Sequence, residues 1–301
     1  MMDFGDIINF CIQTDTKYQI DGKTADITSI RVGNKASLIV YPATIDIFCS
    51  ILHKIKLNNY KFIIIGNGTN CYFCETYNGI VICTKYLDSI LVNNDRVIAM
   101  CGANLSNACL MALFHSLSGL EFAYGIPGTV GGALYMNAAA FGGTIGCIVE
   151  KAVVYDIDTD SIIELDNISQ HFNNKESIYS ENKSYTILQA SFKLVKGEYD
   201  NIKSKMLEYN KRRKETQPLN LPNSGSAFKR TDGIIPSLLI DKCGLKGYKI
   251  GGAEISKKHA GFIVNSGGAT AEDINNLLSY IKAKIFKEFG ANLEEEILYI
   301  E

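Results

Sequence analysis

Residues 61–83, KFIIIGNGTNCYFCETYNGIVIC, do most to limit the folds open to this chain. KFIIIG reads as a buried strand that runs straight into GNGTN, the glycine-spaced turn that opens a dinucleotide-binding βαβ unit. Asp88 even falls about twenty residues later, where such a unit places its ribose-binding acid. Two features oppose that fold. Cys71 stands in the place of the third glycine. The next strand, GIVICT, arrives after an Asn-Gly turn, too soon for a crossover helix, which needs a dozen or more residues. The loop 66–70 is therefore either a phosphate cradle without a Rossmann helix or a tight turn.

The rest of the chain mixes helical and extended periodicities. ASLIVY (36–41) reads as a strand, and the segment after it has Ile45, Phe48, Ile51, Leu52 and Ile55 at helical spacing. RVIAMC is a further strand, residues 106–117 an apolar helix, and AVVYDID, SIIEL and YTILQASFKLV a meander. A polar helix, IKSKMLEYNKRRKETQ, follows, with Lys211, Arg212, Arg213 and Lys214 expected on a solvated face. Helix 271–289 carries Thr270 as N-cap, Asp273 three residues on and Gly290 as its stop. The polar interval 198–205 marks a boundary, giving a region 1–200, with lobes of about 1–90 and 91–200, and a unit 201–301.

Composition sets outer limits. At 301 residues, 47% hydrophobic and 21% charged, the chain is expected to be a soluble globular protein. A net charge of -2 gives no reason to expect a nucleic-acid or anionic-membrane partner. No apolar run approaches the ~18 residues of a membrane span, and the first fifteen residues lack the cationic start of a signal peptide. Nine cysteines without such a signal suggest reduced thiols and a cytoplasmic location. Cys71 and Cys74 form a lone CxxC with no second pair, so a strand or turn is the better reading and no metal is expected.

Three stretches carry candidate chemistry. In the block 119–143, Gly125, Gly128, Gly131, Gly132, Gly142 and Gly143 remove side chains and leave backbone N–H groups to approach a bulky anion, with Thr129 adding a hydroxyl and Asn137 an amide. The alternative is a glycine-rich crossing of helix and sheet. PNSGSAFKR (222–230) does not satisfy GxSxG, so neither Ser224 nor Ser226 is a nucleophile on a strand-to-helix elbow. In the terminal LEEEILYIE, strand alternation puts Glu296 with Leu298 and Ile300, and Glu295 with Ile297 and Tyr299; two largely apolar faces imply that one acid points into a cleft.

IPGTVGGALYMNAAAFGG (126–143) resembles the flavin-binding signature of the UDP-N-acetylenolpyruvoylglucosamine reductase family. Other stretches match in the same order. TSIRVGNKA (28–36) resembles the family's opening segment and GNGTN its pyrophosphate loop. QPLNLPNSGSAFKR (217–230), LIDKCGLKGYKIGGAEISKKHAGFIVN (239–265) and the terminal LEEEILYIE complete the set. The resemblance runs from about residue 26 to the end and is to the compact type, without an inserted tyrosine-bearing loop. It implies an α+β fold: a two-lobed FAD-binding region of the vanillyl-alcohol-oxidase type plus a C-terminal α+β substrate-binding domain.

The resemblance also implies a reaction. NADPH reduces FAD and leaves; a UDP-linked enolpyruvyl amino sugar then enters the same cleft and is reduced to UDP-N-acetylmuramate, a step of peptidoglycan precursor synthesis. The implied cofactor residues are Gly66, Asn67, Gly68, Thr69, Asn70, Gly125, Ile126, Pro127, Gly128, Thr129, Gly131, Gly132 and Asn137. The implied catalytic residues are Ser226 as proton donor, Glu296, and Lys175 in the place of the family's arginine; Lys229 and Arg230 are candidate contacts to the substrate diphosphate. Lysine keeps the charge but loses the planar two-pronged geometry. One lost charge-assisted hydrogen bond, ~1.5–3 kcal/mol, would mean about ten- to hundred-fold in rate. Leu298, Glu301 and Thr231 depart from the family pattern as well. The readings left open beside the reductase are a family-related binding protein with weak turnover and another FAD-dependent oxidoreductase. A monomer or weak oligomer is expected.

Overall fold

The computed structural model describes residues 4–231 and 233–301. The chain divides into two compact units. One comprises Met1–Ile20, Leu38–Asn67 and Gly79–Arg212; the other comprises Asp21–Ser37, Gly68–Asn78 and Arg213–Glu301. This replaces the contiguous division at residue 200, and the lobe boundary near 90, expected from composition. The physical reason is core sharing: Ile30, Val32 and Tyr72 bury in the same cluster as Phe228, Ile274 and Leu277. Nothing in the local pattern around Ile30 or Tyr72 announces partners that far along the chain.

In the first unit the predicted meander is present. Strands Ser161–Asp166, Val149–Asp156, Tyr185–Lys193, Arg96–Met100 and Ile90–Asn93 follow one another across a five-stranded antiparallel sheet. Val154 stands opposite Ile163 on one side and Ile187 on the other, so β-branched side chains meet across the strands. Helix Ile45–Asn58 buries Phe48, Ile51, Leu52 and Ile55; the Thr44 hydroxyl accepts the Ile47 N–H at 3.3 Å at its start, and Asn59 ends it in the left-handed region. The predicted helix 106–117 stops earlier. It spans Leu105–Phe114, because Ser116 turns left-handed and Leu117–Ser118 pairs instead with Val195–Lys196.

The stretch that limited the fold behaves as expected in its main point. Phe62–Ile65 pairs in parallel with Thr76–Cys83, Phe62 opposite Ile80 and Ile65 opposite Cys83, and no helix lies between them. One detail differs. Asn78 and Gly79 sit inside the strand Thr76–Cys83 rather than in a turn, Asn78 exposed and Gly79 buried in its alternation.

The second unit is built on helix Ala271–Phe289. Ile274, Leu277, Leu278, Ile281 and Ile285 recur at three- and four-residue spacing and are all buried. Each such side chain contributes roughly 1.5–3 kcal/mol when removed from water. The predicted ends are in place: Thr270 and Asp273 form a reciprocal capping box, and Gly290 closes the helix at φ 66°. Strands Asn223–Ser226, Phe262–Asn265, Ala253–Ile255 and Lys249–Ile250 form an antiparallel sheet in that order, and Leu298–Ile300 pairs in parallel with Cys71–Phe73. Among the described residues no helix is long and apolar enough to cross a membrane.

Candidate active site

Two groups of candidate residues fall in different units. In the first unit, the start of GNGTN meets the glycine block. Asn67 Nδ2 donates to the Pro127 carbonyl at 2.9 Å. A Cβ on Gly66 would stand 2.2 Å from Thr129 Oγ1, so only glycine allows this approach. Thr129 is 1% exposed, and its hydroxyl accepts the Gly132 N–H at 3.3 Å as the N-cap of helix Val130–Tyr135.

The glycine block is more committed than its composition suggests. The Gly125 N–H donates to Ser106 Oγ, that of Ile126 to the Ala123 carbonyl, and that of Gly131 to the Cys101 carbonyl at 2.8 Å. With Gly132 used by the Thr129 cap, these four N–H groups are spent within the protein, which corrects the expectation that they stand free for an anion. Those of Gly128 and Thr129 donate to no described residue, nor does the N–H of Asn67. Asn137 is corrected likewise: its Nδ2 donates to the Asn173 carbonyl and its Oδ1 accepts the Gly146 N–H, both at 2.8 Å, so the amide braces two loops. Lys175 also belongs to this unit. It occupies the left-handed region, φ 60°, in a tight turn closed by the Asn173 N–H on the Glu176 carbonyl at 3.0 Å.

In the second unit the loop continues through Gly68, Thr69 and Asn70, whose N–H groups donate to no described residue. Gly68 holds φ 56°, and a Cβ there would lie 2.1 Å from the Ile27 carbonyl oxygen. A run of unpaired backbone donors around a glycine suits a phosphate-bearing cofactor such as FAD. Gly68, Thr69 and Asn70 of the second unit supply donor chemistry of the kind a pyrophosphate takes up; in the first unit the N–H groups of Asn67, Gly128 and Thr129 are likewise uncommitted.

The serine loop shows why the two serines differ. Asn223 pairs with Val264 and Ser226 with Phe262, so Ser224 and Gly225 on one strand stand against Ile263 alone on the other, which is a bulge. In a regular strand Ser224 and Ser226 would share a face; the extra residue separates their settings. Ser224 is 2% exposed, and its hydroxyl donates to the Cys71 carbonyl at 3.2 Å. Ser226 is half-buried, and its hydroxyl makes no hydrogen bond to any described residue. The Ser224 hydroxyl is engaged within the fold and that of Ser226 is not.

Glu296 lies beside this strand. Its N–H donates to the Ala227 carbonyl at 2.8 Å, and the Lys229 N–H donates to the Glu294 carbonyl at 2.8 Å. Asn70 joins the same place from the cofactor loop: its Nδ2 donates to the Glu296 carbonyl, and its own carbonyl accepts the Leu298 N–H, both at 2.9 Å. The expected terminal strand is shorter than predicted. Only Leu298–Ile300 is regular, and the strict alternation fails, with Glu296 and Ile297 both buried and Leu298 and Tyr299 both exposed. Of the terminal acids, Glu296 is 9% exposed, Glu295 is half-buried and Glu294 faces solvent.

The flanking cations are placed less simply. Lys229 Nζ is 2.5 Å from Glu294 Oε1, with only 16% of the side chain exposed, so it neutralises an acid of its own unit. Arg230 is exposed, and its charge adds to burial in holding His259 below the usual histidine range. The SKKHAGF segment is a turn at a strand end: Ser256 Oγ accepts the N–H groups of Lys258 and His259, and His259 Nδ1 accepts that of Gly261. Arg213 departs from the solvated face expected for 211–214; it is buried, which pushes its guanidinium down. Cys71 is buried within Cys71–Phe73, and burial pushes its thiol up to about 12.

One residue of interest escaped the sequence reading. The Ser29 hydroxyl donates to the Asn223 carbonyl at 2.6 Å, joining the weakly matching opening segment to the serine loop. Its only signal was its place in TSIRVGNKA.

Comparison with known proteins agrees with this geometry. Residues 217–300 match the family model for UDP-N-acetylenolpyruvoylglucosamine reductase, C-terminal domain, and residues 36–158 match that for an FAD binding domain. A UDP-N-acetylenolpyruvoylglucosamine reductase of Caldanaerobacter subterraneus subsp. tengcongensis is 42% identical over 90% of this chain and 89% of its own length. One of Clostridium botulinum is 41% identical over 100% of this chain and 96% of its own. Among solved structures, UDP-N-acetylenolpyruvylglucosamine reductase from Thermus caldophilus superposes with a TM-score of 0.79 at 26% identity, over 95% of this chain and 99% of that one. Alkyldihydroxyacetonephosphate synthase shares the fold alone over 65% of this chain and 44% of its own, at 16% identity and a TM-score of 0.50.

Proposed function

The chain belongs to the UDP-N-acetylenolpyruvoylglucosamine reductase family, and on that footing we propose that it reduces UDP-N-acetylenolpyruvoylglucosamine with NADPH through bound FAD. When bound, FAD would supply the hydride chemistry, from NADPH to the terminal carbon of the substrate's alkene. The residues of this chain hold the groups and manage one proton. The unpaired N–H groups of Gly68, Thr69 and Asn70 would hold the cofactor's pyrophosphate.

Addition of hydride leaves an electron pair on the carbon next to the substrate carboxylate. That carbon is basic enough to take a proton from a neutral hydroxyl, and Ser226 Oγ gives it up without prior activation; water then restores the serine. Glu296 stands next to the developing charge, Lys175 supplies a positive charge for the carboxylate, and Arg230 with Lys229 meets the diphosphate. A cytoplasmic location, where nucleotide-linked sugars are made, belongs to the same proposal.

The observation that carries this reading is the contrast between the serines. A bulge commits Ser224 to the Cys71 carbonyl and leaves the Ser226 hydroxyl unengaged on the strand bonded to Glu296. The test separates the half-reactions. Ser226→Ala should still be reduced by NADPH at the wild-type rate, while re-oxidation by the enolpyruvyl substrate falls about 10²–10⁴-fold, to a residual that single-turnover measurement still reads. Equal loss of both would make Ser226 structural. A yellow wild-type protein that NADPH reduces but the substrate cannot re-oxidise would make this chain a binding protein.

A further inference from the structure

Ser29 joins two loops of the second unit that the reaction needs in register. Its backbone N–H donates to the Gly68 carbonyl at 2.9 Å, and its hydroxyl to the Asn223 carbonyl at 2.6 Å. The hydroxyl is also 3.3 Å from the Gly68 carbonyl, but it carries one proton, and the shorter contact takes it. Gly68 belongs to the loop assigned to the cofactor's pyrophosphate. Asn223 opens the strand whose bulge presents Ser226. Its side chain cannot hold that carbonyl in place, because the Asn223 amide is already used, Nδ2 on the Pro218 and Leu221 carbonyls and Oδ1 on the Gly225 N–H.

We infer that Ser29 is a positioning residue for Ser226, tying the proton-donor strand to the cofactor loop through one side-chain and one backbone hydrogen bond. The inference rests on the reductase reading above. Only the second half-reaction needs a donor placed against the carbon that has just received hydride, and small misplacements of a reacting group are costly. Ser29 is half-buried, so alanine fits its place without a clash.

The test uses the flavin-loaded full chain in single-turnover experiments, with the apoprotein for exchange measurements. Ser29→Ala should slow re-oxidation by the enolpyruvyl substrate about tenfold, the worth of one hydrogen bond, and keep reduction by NADPH within about twofold. Ser29→Thr, which retains the hydroxyl, should restore most of the loss. In a Ser226→Ala background, Ser29→Ala should have no further effect, because the residue it positions is gone. Amide exchange across 223–227 should quicken several-fold in Ser29→Ala apoprotein, with 271–289 unchanged.

Three results would overturn the inference: an equal slowing of both half-reactions, the same tenfold factor with Ser226 already removed, or unchanged exchange at 223–227. Wild-type re-oxidation by Ser226→Ala itself would instead remove the reading of Ser226 on which the inference stands, whatever the exchange data show.

Discussion

Gly66→Ala tests the contact that brings the cofactor loop onto the glycine block. An added Cβ would stand 2.2 Å from Thr129 Oγ1, 2.9 Å from its Cγ2 and 3.1 Å from its Cβ. Thr129 is buried, and the clash is relieved by rotating its side chain out of its place. That rotation removes the cap on Gly132, costing about 1 kcal/mol, and the surrounding strain adds about 1–3 kcal/mol. The single substitution should therefore destabilise the apoprotein by about 2–4 kcal/mol. Thr129→Ala alone should cost about 1 kcal/mol, the cap. In the Thr129→Ala background the two tightest contacts are gone and the 3.1 Å one to Cβ is left of those three, and Gly66→Ala should cost about 1 kcal/mol or less, a coupling of about 1–3 kcal/mol. Urea unfolding of the four apoproteins, followed by far-ultraviolet circular dichroism, measures the cycle; retention of FAD on gel filtration reports the site. A loss below about 0.5 kcal/mol for Gly66→Ala, or strict additivity with Thr129→Ala, would refute the reasoning.

Other outcomes follow from the remaining contacts. Lys175→Arg should speed re-oxidation by the enolpyruvyl substrate and leave NADPH reduction as it was; no change in stopped-flow absorbance would remove Lys175 from the site. Asp273 is held below its usual range by the Thr270 and Gly252 N–H groups. Its stabilisation is thus present at neutral pH and lost as pH falls through the lowered value: Asp273→Asn should cost about 1 kcal/mol at pH 7, and the gap in Tm should close in acid. His259 follows the same sign at higher pH. Burial, then Arg230 and Lys246, hold it below its usual range, so between about pH 6.5 and the lowered value the unfolded chain binds the extra proton and stability falls with pH. His259→Asn should flatten that slope in thermal scans between pH 7.5 and 5.5.

What could be read from sequence divides along physical lines. The capping box at Thr270 and Asp273, the apolar stripe from Ile274 to Ile285 and the meander all rest on neighbours within a few residues, and all are present. Ser224 and Ser226 could not be separated that way. Their difference arises from a bulge set by register against Phe262–Asn265, a pairing made some forty residues later. The glycine block misled for a related reason: composition shows that N–H groups are uncovered by side chains, not that the Ala123 and Cys101 carbonyls have claimed those of Ile126 and Gly131. Alternation failed in 296–299 because backbone bonds from 294–298 to Ala227, Lys229 and Asn70, not a regular ladder, set that segment's path.

The threading of the second unit through three separated segments has a consequence for how the protein is made. Ile30, Val32 and Tyr72 leave the ribosome long before Phe228, Ile274 and the other side chains that will cover them. At about 5–20 residues per second, the roughly 220 residues between Asn78 and the end of the chain take some 10–45 s to synthesise. During that interval two short apolar segments wait in the nascent chain without their core, open to chaperones and to mispairing. The same arrangement limits how the gene can be cut: a fragment starting at residue 201 would lack Ile30, Val32 and the strand Cys71–Phe73 on which Leu298–Ile300 pairs.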